Sequence, residues 1–253
     1  MRPPSSGKPP VLVFSYGGGT EHGDRTLKNT NNLVYANLGA FFALLGFLTV
    51  IPDYRAVALG AKYPEPIEDV RDALQFIVNK LSKECDTRRI FLLGHSAGVL
   101  MQSSLLLRFD LLPNDLRSRI KGVVWNGGVY HFHFPRELGV APPAVLEAFY
   151  GPSNGVYYQT PLGLLQTLAP SLVAALPPML FFTAENDPEE MKTMKGYFVQ
   201  ALQEKGFYNF AEVENPKHNH MSSVCALCSG EGAEWGFRAV EWMRAIDLLD
   251  TST

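Results

Sequence analysis

The stretch Ile90-Phe91-Leu92-Leu93-Gly94-His95-Ser96-Ala97-Gly98 decides how the rest of the chain is read. Four consecutive apolar residues suit a short strand buried on both faces, and from 96 to 108 the apolar residues recur at helical spacing. Strand therefore passes to helix through a sharp turn with Ser96 at its apex. The flanking glycines relieve the crowding of such a turn against its neighbours. The geometry lifts the Ser96 hydroxyl above the sheet and leaves the Ala97 N–H at a helix N-terminus, ready to face an oxyanion. The bland reading of the same residues is a glycine-rich helix start with Ser96 as N-cap.

Outward from this turn the same rhythm repeats. Residues 11–15, 47–51, 123–125 and 179–183 also read as strands buried on both faces, and 207–213 as a sixth strand. Helical spacing runs over 65–81, 189–203 and 233–249, with Pro66 and Pro188 at helix starts, where a missing N–H costs little. This alternation predicts an α/β fold: a mostly parallel central sheet with helices on both faces, and ligands beyond the carboxyl ends of the strands. Residues 33–51 are nearly continuously apolar, but Asn37, Gly39 and Gly46 divide them into a buried helix and a buried strand rather than a membrane span. The chain reads as a single domain over 1–253, with a short tail over 1–10. Residues 130–173, rich in proline and aromatic residues, read as a small lid-like insertion.

Composition narrows the function classes. The chain has 253 residues, 46% of them hydrophobic, and a formal charge of −3, which argues against nucleic acid as a partner. Three cysteines, Cys85, Cys225 and Cys228, cannot build a disulfide framework, and no signal-peptide pattern opens the sequence, so the cytoplasm is expected. Cys225-Ala226-Leu227-Cys228 near two histidines lacks the second pair of a zinc site, and neither metal nor cofactor is expected.

The remaining chemistry follows the strands. Tyr16-Gly17-Gly18-Gly19, after the first strand, can turn backbone N–H groups toward a developing negative charge; the chain lacks the glycine patterns of phosphate loops. A serine nucleophile needs a base and an orienting carboxylate. Asp187, after the fifth strand, is the expected acid, with Glu185 in reserve and a helix-capping role as its alternative. His218 and His220 follow the last strand, and chain order does not choose between them. Tyr16, His95, His131, Phe132, Phe149 and Tyr150 are the expected borders of an apolar substrate pocket, with His133, Phe134, Tyr157 and Tyr158 nearby. His95 reads as a packing residue rather than a second base.

Taken together, Tyr-Gly-Gly-Gly, Ile51-Pro52-Asp53-Tyr54-Arg55, Gly-His-Ser-Ala-Gly, Glu-Asn-Asp-Pro and His-Asn-His-Met-Ser resemble the α/β-hydrolase superfamily. The chain is similar to its carboxylesterase, hormone-sensitive-lipase-like and kynurenine-formamidase-like (feruloyl-esterase-like) branch, over roughly residues 11–249. The resemblance implies cofactor-free hydrolysis of small carboxylic esters or amides. It implies Ser96 as nucleophile, Asp187 as acid, His220 as base, and Gly17, Gly18 and Ala97 as oxyanion hole with Gly19 beside them. Two other readings remain: an arylformamidase, and a non-catalytic binding or interaction protein on the same scaffold. Three features depart from the branch: Tyr16 where histidine is usual, Val99 where a further glycine is frequent, and a reduced antiparallel N-terminal edge. The oligomeric state is not legible.

Overall fold

The computed structural model describes residues 7–26, 30–132, 142–152 and 156–250. Six strands form one sheet: β1 (Pro10–Ser15), β2 (Leu48–Val50), β3 (Asp86–His95), β4 (Ile120–Asn126), β5 (Met179–Asn186) and β6 (Phe210–Asn219). Their spatial order is β2-β1-β3-β4-β5-β6, and every pairing is parallel. The expected parallel α/β architecture and all six strands are present. The two edge strands differ from expectation: β2 is only partly buried, and β6 runs on to Asn219 with mostly exposed residues. An edge strand has a neighbour on one side only, so its apolar run need not be enclosed.

The helices are α1 (Leu33–Leu44), α2 (Glu65–Lys80), α3 (Ala97–Leu107), α4 (Asn114–Arg117), α5 (Pro143–Tyr150), α6 (Val156–Gln159), α7 (Pro161–Thr167), α8 (Pro170–Val173), α9 (Glu189–Glu204), α10 (Ser222–Ala226) and α11 (Glu234–Asp250). Side chains alternate along β5 and show the two layers. Phe181 meets Phe198 of α9, whereas Phe182 meets Trp235 of α11. With α9 lie α7, α3 and α2; with α11 lie α1 and α10. Within the 130–173 stretch, α7 thus belongs to the helical layer, between α3 and α9.

Helix α1 ends as the sequence suggests. Gly46, at φ +96°, and Phe47 donate back to the Ala43 and Phe42 carbonyls, satisfying the last turn and releasing the chain into β2. The helix is buried along one stripe, Val34, Tyr35, Leu38, Phe41 and Phe42, while Leu33 and Leu44 are exposed. No helix among the described residues is long and apolar enough to cross a membrane.

The chain reverses its direction of winding between β1 and β3, the place where such sheets open a crevice at their carboxyl ends. One buried side chain fastens this point. Gln102 of α3 donates to Ser15 Oγ and the Leu93 carbonyl, both at 3.0 Å, and accepts from the Trp125 indole at 3.2 Å. Gln102→Leu keeps the volume but strands the Trp125 N–H and Ser15 hydroxyl away from water. It is expected to cost about 2–4 kcal/mol in urea unfolding.

Candidate active site

Ser96 stands between β3 and α3 at φ +54°, ψ −122°, a conformation that a side-chain-bearing residue rarely adopts. Its N–H is held by the Asn126 carbonyl at 3.1 Å, and its own carbonyl receives the Val99 N–H at 3.0 Å. The turn is possible because α3 can touch the end of β1. A Cβ on Gly98 would lie 2.0 Å from the Ser15 carbonyl oxygen, so only glycine fits. Val99, the departure from the usual glycine, is fully buried. It fills space left by Gly94 and Gly128, whose Cβ atoms would come within 3.0 Å and 2.7 Å of it.

The glycine loop meets this turn directly, because Ser15 and Gly94 are register partners in β1 and β3. A Cβ on Gly17 would sit 2.8 Å from Ser96 Cβ. The Gly17 backbone is turned toward the hydroxyl of Tyr35, whose pKa is pushed up to about 12, mainly by burial. Gly18 and Gly19, at φ +138° and +65°, carry the loop outward to the surface. Tyr16 lies beneath the loop rather than in open space: it is 1% exposed, stacks on Tyr54 at 4.7 Å, and donates to Asp53 Oδ1 at 3.1 Å. The Tyr54 hydroxyl returns a 2.7 Å bond to the Tyr16 carbonyl. Sequence reading left Asp53, Tyr54 and Tyr35 without a role; Asp53-Tyr54, directly after a strand, was the available signal.

Asp187 and His220 come together. His220 Nδ1 is 2.9 Å from Asp187 Oδ1, and Asp187 Oδ2 takes the Ala184 N–H at 2.7 Å. The carboxylate does not cap α9, whose N-cap is Pro188. Glu185 points elsewhere and receives the Lys217 N–H at 2.6 Å, bracing the end of β6, which carries His218 and leads to His220. His218 also turns away, toward Ser222 Oγ at 3.1 Å. It borders a cavity of about 790 Å³ with Asn215, Cys225, Trp235 and Arg238, and none of Ser96, Asp187 or His220 lines that cavity. Ser96 Oγ makes no hydrogen bond among the described residues, so its link to His220 is open in this structure; catalytic bonds often tighten only around substrate.

His95 is buried, with Nε2 2.8 Å from the His220 carbonyl and its ring packed against that of His220, centroids 4.6 Å apart and the planes tilted by 32°. Gly127, at φ +55°, crowds the same ring: a Cβ there would fall 2.9 Å from His220 Nδ1. The Asn126-Gly127-Gly128 turn after β4 was the overlooked signal. His131, 3% exposed, borders a separate cavity of about 400 Å³ with Tyr157, Gln166, Tyr197 and Glu204. Phe149 and Tyr150 are buried against Tyr63, and Phe132 packs edge-on to Tyr150 at 6.0 Å. Tyr157 and Tyr158 form part of α6, with Tyr158 exposed; His133 and Phe134 lie outside the described residues. Among the described residues no group of three or more His, Cys, Asp or Glu is placed to hold a metal, and the cysteines are free thiols.

Residues 1–107 match the BD-FAE family model. No curated protein sequence matches the chain. Among solved structures, esterase B from Lactobacillus rhamnosis superposes with a TM-score of 0.77 at 16% identity, covering 99% of this chain and 80% of that one. The carboxylesterase EstE1 from a metagenomic library gives 0.72 at 20% identity, covering 96% and 81%. Carboxyl esterase 2 from the mycorrhizal fungus Tuber melanosporum gives 0.71 at 19%, covering 96% and 80%.

Two outcomes follow from this geometry. Gly127→Ala is expected to displace the His220 ring and abolish the low-field proton resonance of its bond to Asp187. Burial, followed by the neighbouring His220, lowers the His95 pKa from 6.5 to about 3. Below pH 6.5 the unfolded chain therefore binds a proton at His95 that the folded chain refuses. Stability from this group is complete above pH 6.5 and drains away as pH falls toward 3; His95→Gln is expected to flatten that part of the urea-midpoint profile. The strand order and these superpositions together identify the chain as having the α/β-hydrolase fold, with a BD-FAE match over its first 107 residues.

Proposed function

We propose that this chain is a serine hydrolase of small carboxylic esters, working through Ser96, His220 and Asp187. The observation that carries the reading is the 2.9 Å contact between His220 Nδ1 and buried Asp187, formed beside a serine held in a strained turn. Asp187 accepts a hydrogen bond from Nδ1–H and so leaves Nε2 free to act as a base. His220 takes the Ser96 proton as Oγ attacks the ester carbonyl, and the electron pair of the C=O bond moves to oxygen. That oxyanion is met by the N–H groups of Ala97 and Gly18, with Gly19 next in the loop. Gly17 adds the close approach that lets the loop reach the serine.

Collapse of the tetrahedral adduct expels the alcohol, which receives the proton from His220. Water, activated by the same imidazole, then releases the acid from Ser96. Phe132, backed by Phe149 and Tyr150, supplies the aromatic side of a pocket suited to short acyl or aryl groups. Within the 130–173 stretch, α5 rather than α7 is the part that would serve as its small lid, since α7 belongs to the helical layer. Esterases among the structural neighbours support this reading at the level of the fold.

The test is fluorophosphonate labelling followed by turnover of short acyl esters and N-formyl aromatic amines. Ser96→Ala is expected to lose labelling and at least ~10³-fold in kcat with an unchanged melting temperature. His220→Ala should nearly abolish turnover, and His218→Ala should remain active, because its imidazole faces Ser222. Absence of labelling in the wild-type chain would favour a binding protein, and formamide turnover well above ester turnover would favour an arylformamidase.

A further inference from the structure

We propose that His95 is a positioning residue, which holds the base His220 in place through a hydrogen bond to its carbonyl and a ring packed against its imidazole. The assignment rests on the reading of His220 as the base. Nε2 of His95 lies 2.8 Å from the His220 carbonyl oxygen, and a carbonyl only accepts, so Nε2 carries the ring proton. The two ring centroids are 4.6 Å apart at an angle of 32°. One side chain therefore grips both the backbone and the imidazole of the same residue. It is also the covalent neighbour of Ser96, so it ties the base to the nucleophile by a route that does not pass through Asp187.

The surroundings are arranged for this contact and no other. His95 is 1% exposed, and its Nδ1 has no hydrogen-bond partner among the described residues. A Cβ on Gly17 would fall 3.0 Å from that nitrogen, so the glycine loop closes over the Nδ1 edge of the ring. Burial keeps His95 neutral, with a pKa near 3. A neutral π-face is the right neighbour for an imidazolium, whereas a second cation would oppose proton transfer from Ser96. His95 is buried away from the surface and has no part in the bond-making steps. Its effect is on where His220 waits when the proton moves, a placement to which rate is steeply sensitive.

Two near-isosteric replacements separate the role from simple packing. His95→Gln can keep an N–H donor within reach of the His220 carbonyl, and His95→Met fills similar space without one. With a short chromogenic ester, H95M is expected to lose ~10–10²-fold in kcat at unchanged KM, while H95Q stays within about 3-fold. The low-field proton of the His220–Asp187 bond should persist in wild type and H95Q and be lost in H95M. Equal kcat and equal spectra for the two variants would overturn the assignment, as would a loss confined to KM. Should H95M fail to fold, His95→Ala assayed with added imidazole carries the test: recovery of kcat supports the role, and no recovery overturns it. Full activity in Ser96→Ala would instead overturn the reading of the site itself.

Discussion

The first turn of α3 passes over the end of β1 with no atom to spare, and the rest of the site is arranged around that contact. A methyl group on Gly98 would lie 2.0 Å from the Ser15 carbonyl oxygen. Because the helix can come this close, the strand-to-helix turn can be short, and a short turn forces Ser96 into its unusual backbone conformation. Gln102, one turn further along the same helix, converts the close approach into a fixed one by bonding to β1 and β3 and accepting from β4. Unsatisfied, each of these groups would be costly in a dry interior, which is why the network rigidifies the spot.

From this point the site extends along the carboxyl ends of neighbouring strands. Parallel register brings Ser15 level with Gly94, His95 level with Asn126, and Asn186 level with Asn219. Loops that follow β1, β3, β4, β5 and β6 therefore emerge along one rim. Each contributes one part: a glycine loop, a strained serine, a glycine that clears space for an imidazole, a carboxylate and the imidazole itself. The end of β6, with the short turn that follows it, is braced from two sides. Glu185 and Asn186 reach it from β5, and the Ser222 hydroxyl ties Asn219 and His218 together.

Much of this is legible in the sequence. Runs of apolar residues and helix-spaced segments placed all six strands and the major helices, and Gly46 marked the end of α1, because local backbone preference and burial act over a few residues. Ser96 announced itself through flanking glycines whose spacing has a steric cause. Edge positions were less legible. An apolar run such as 47–51 looks the same whether its strand has neighbours on one side or two, and β2 lies at an edge.

Which side chains face one another was beyond reach of the chain alone, since such contacts join residues far apart in sequence. Local pattern could not separate His218 from His220; the bracing at the end of β6 turns one toward Ser222 and the other toward Asp187, 33 positions earlier. Nor could it say that Tyr16 lies under the glycine loop on Asp53 and Tyr54, or that His131 borders a different cavity. His95, expected as a packing residue at the border of the pocket, grips the residue 125 positions downstream. Backbone sterics and burial written along the chain determine the sheet, the turn and the serine. The direction of each imidazole depends on strand order and register, which exist only once the sheet has closed.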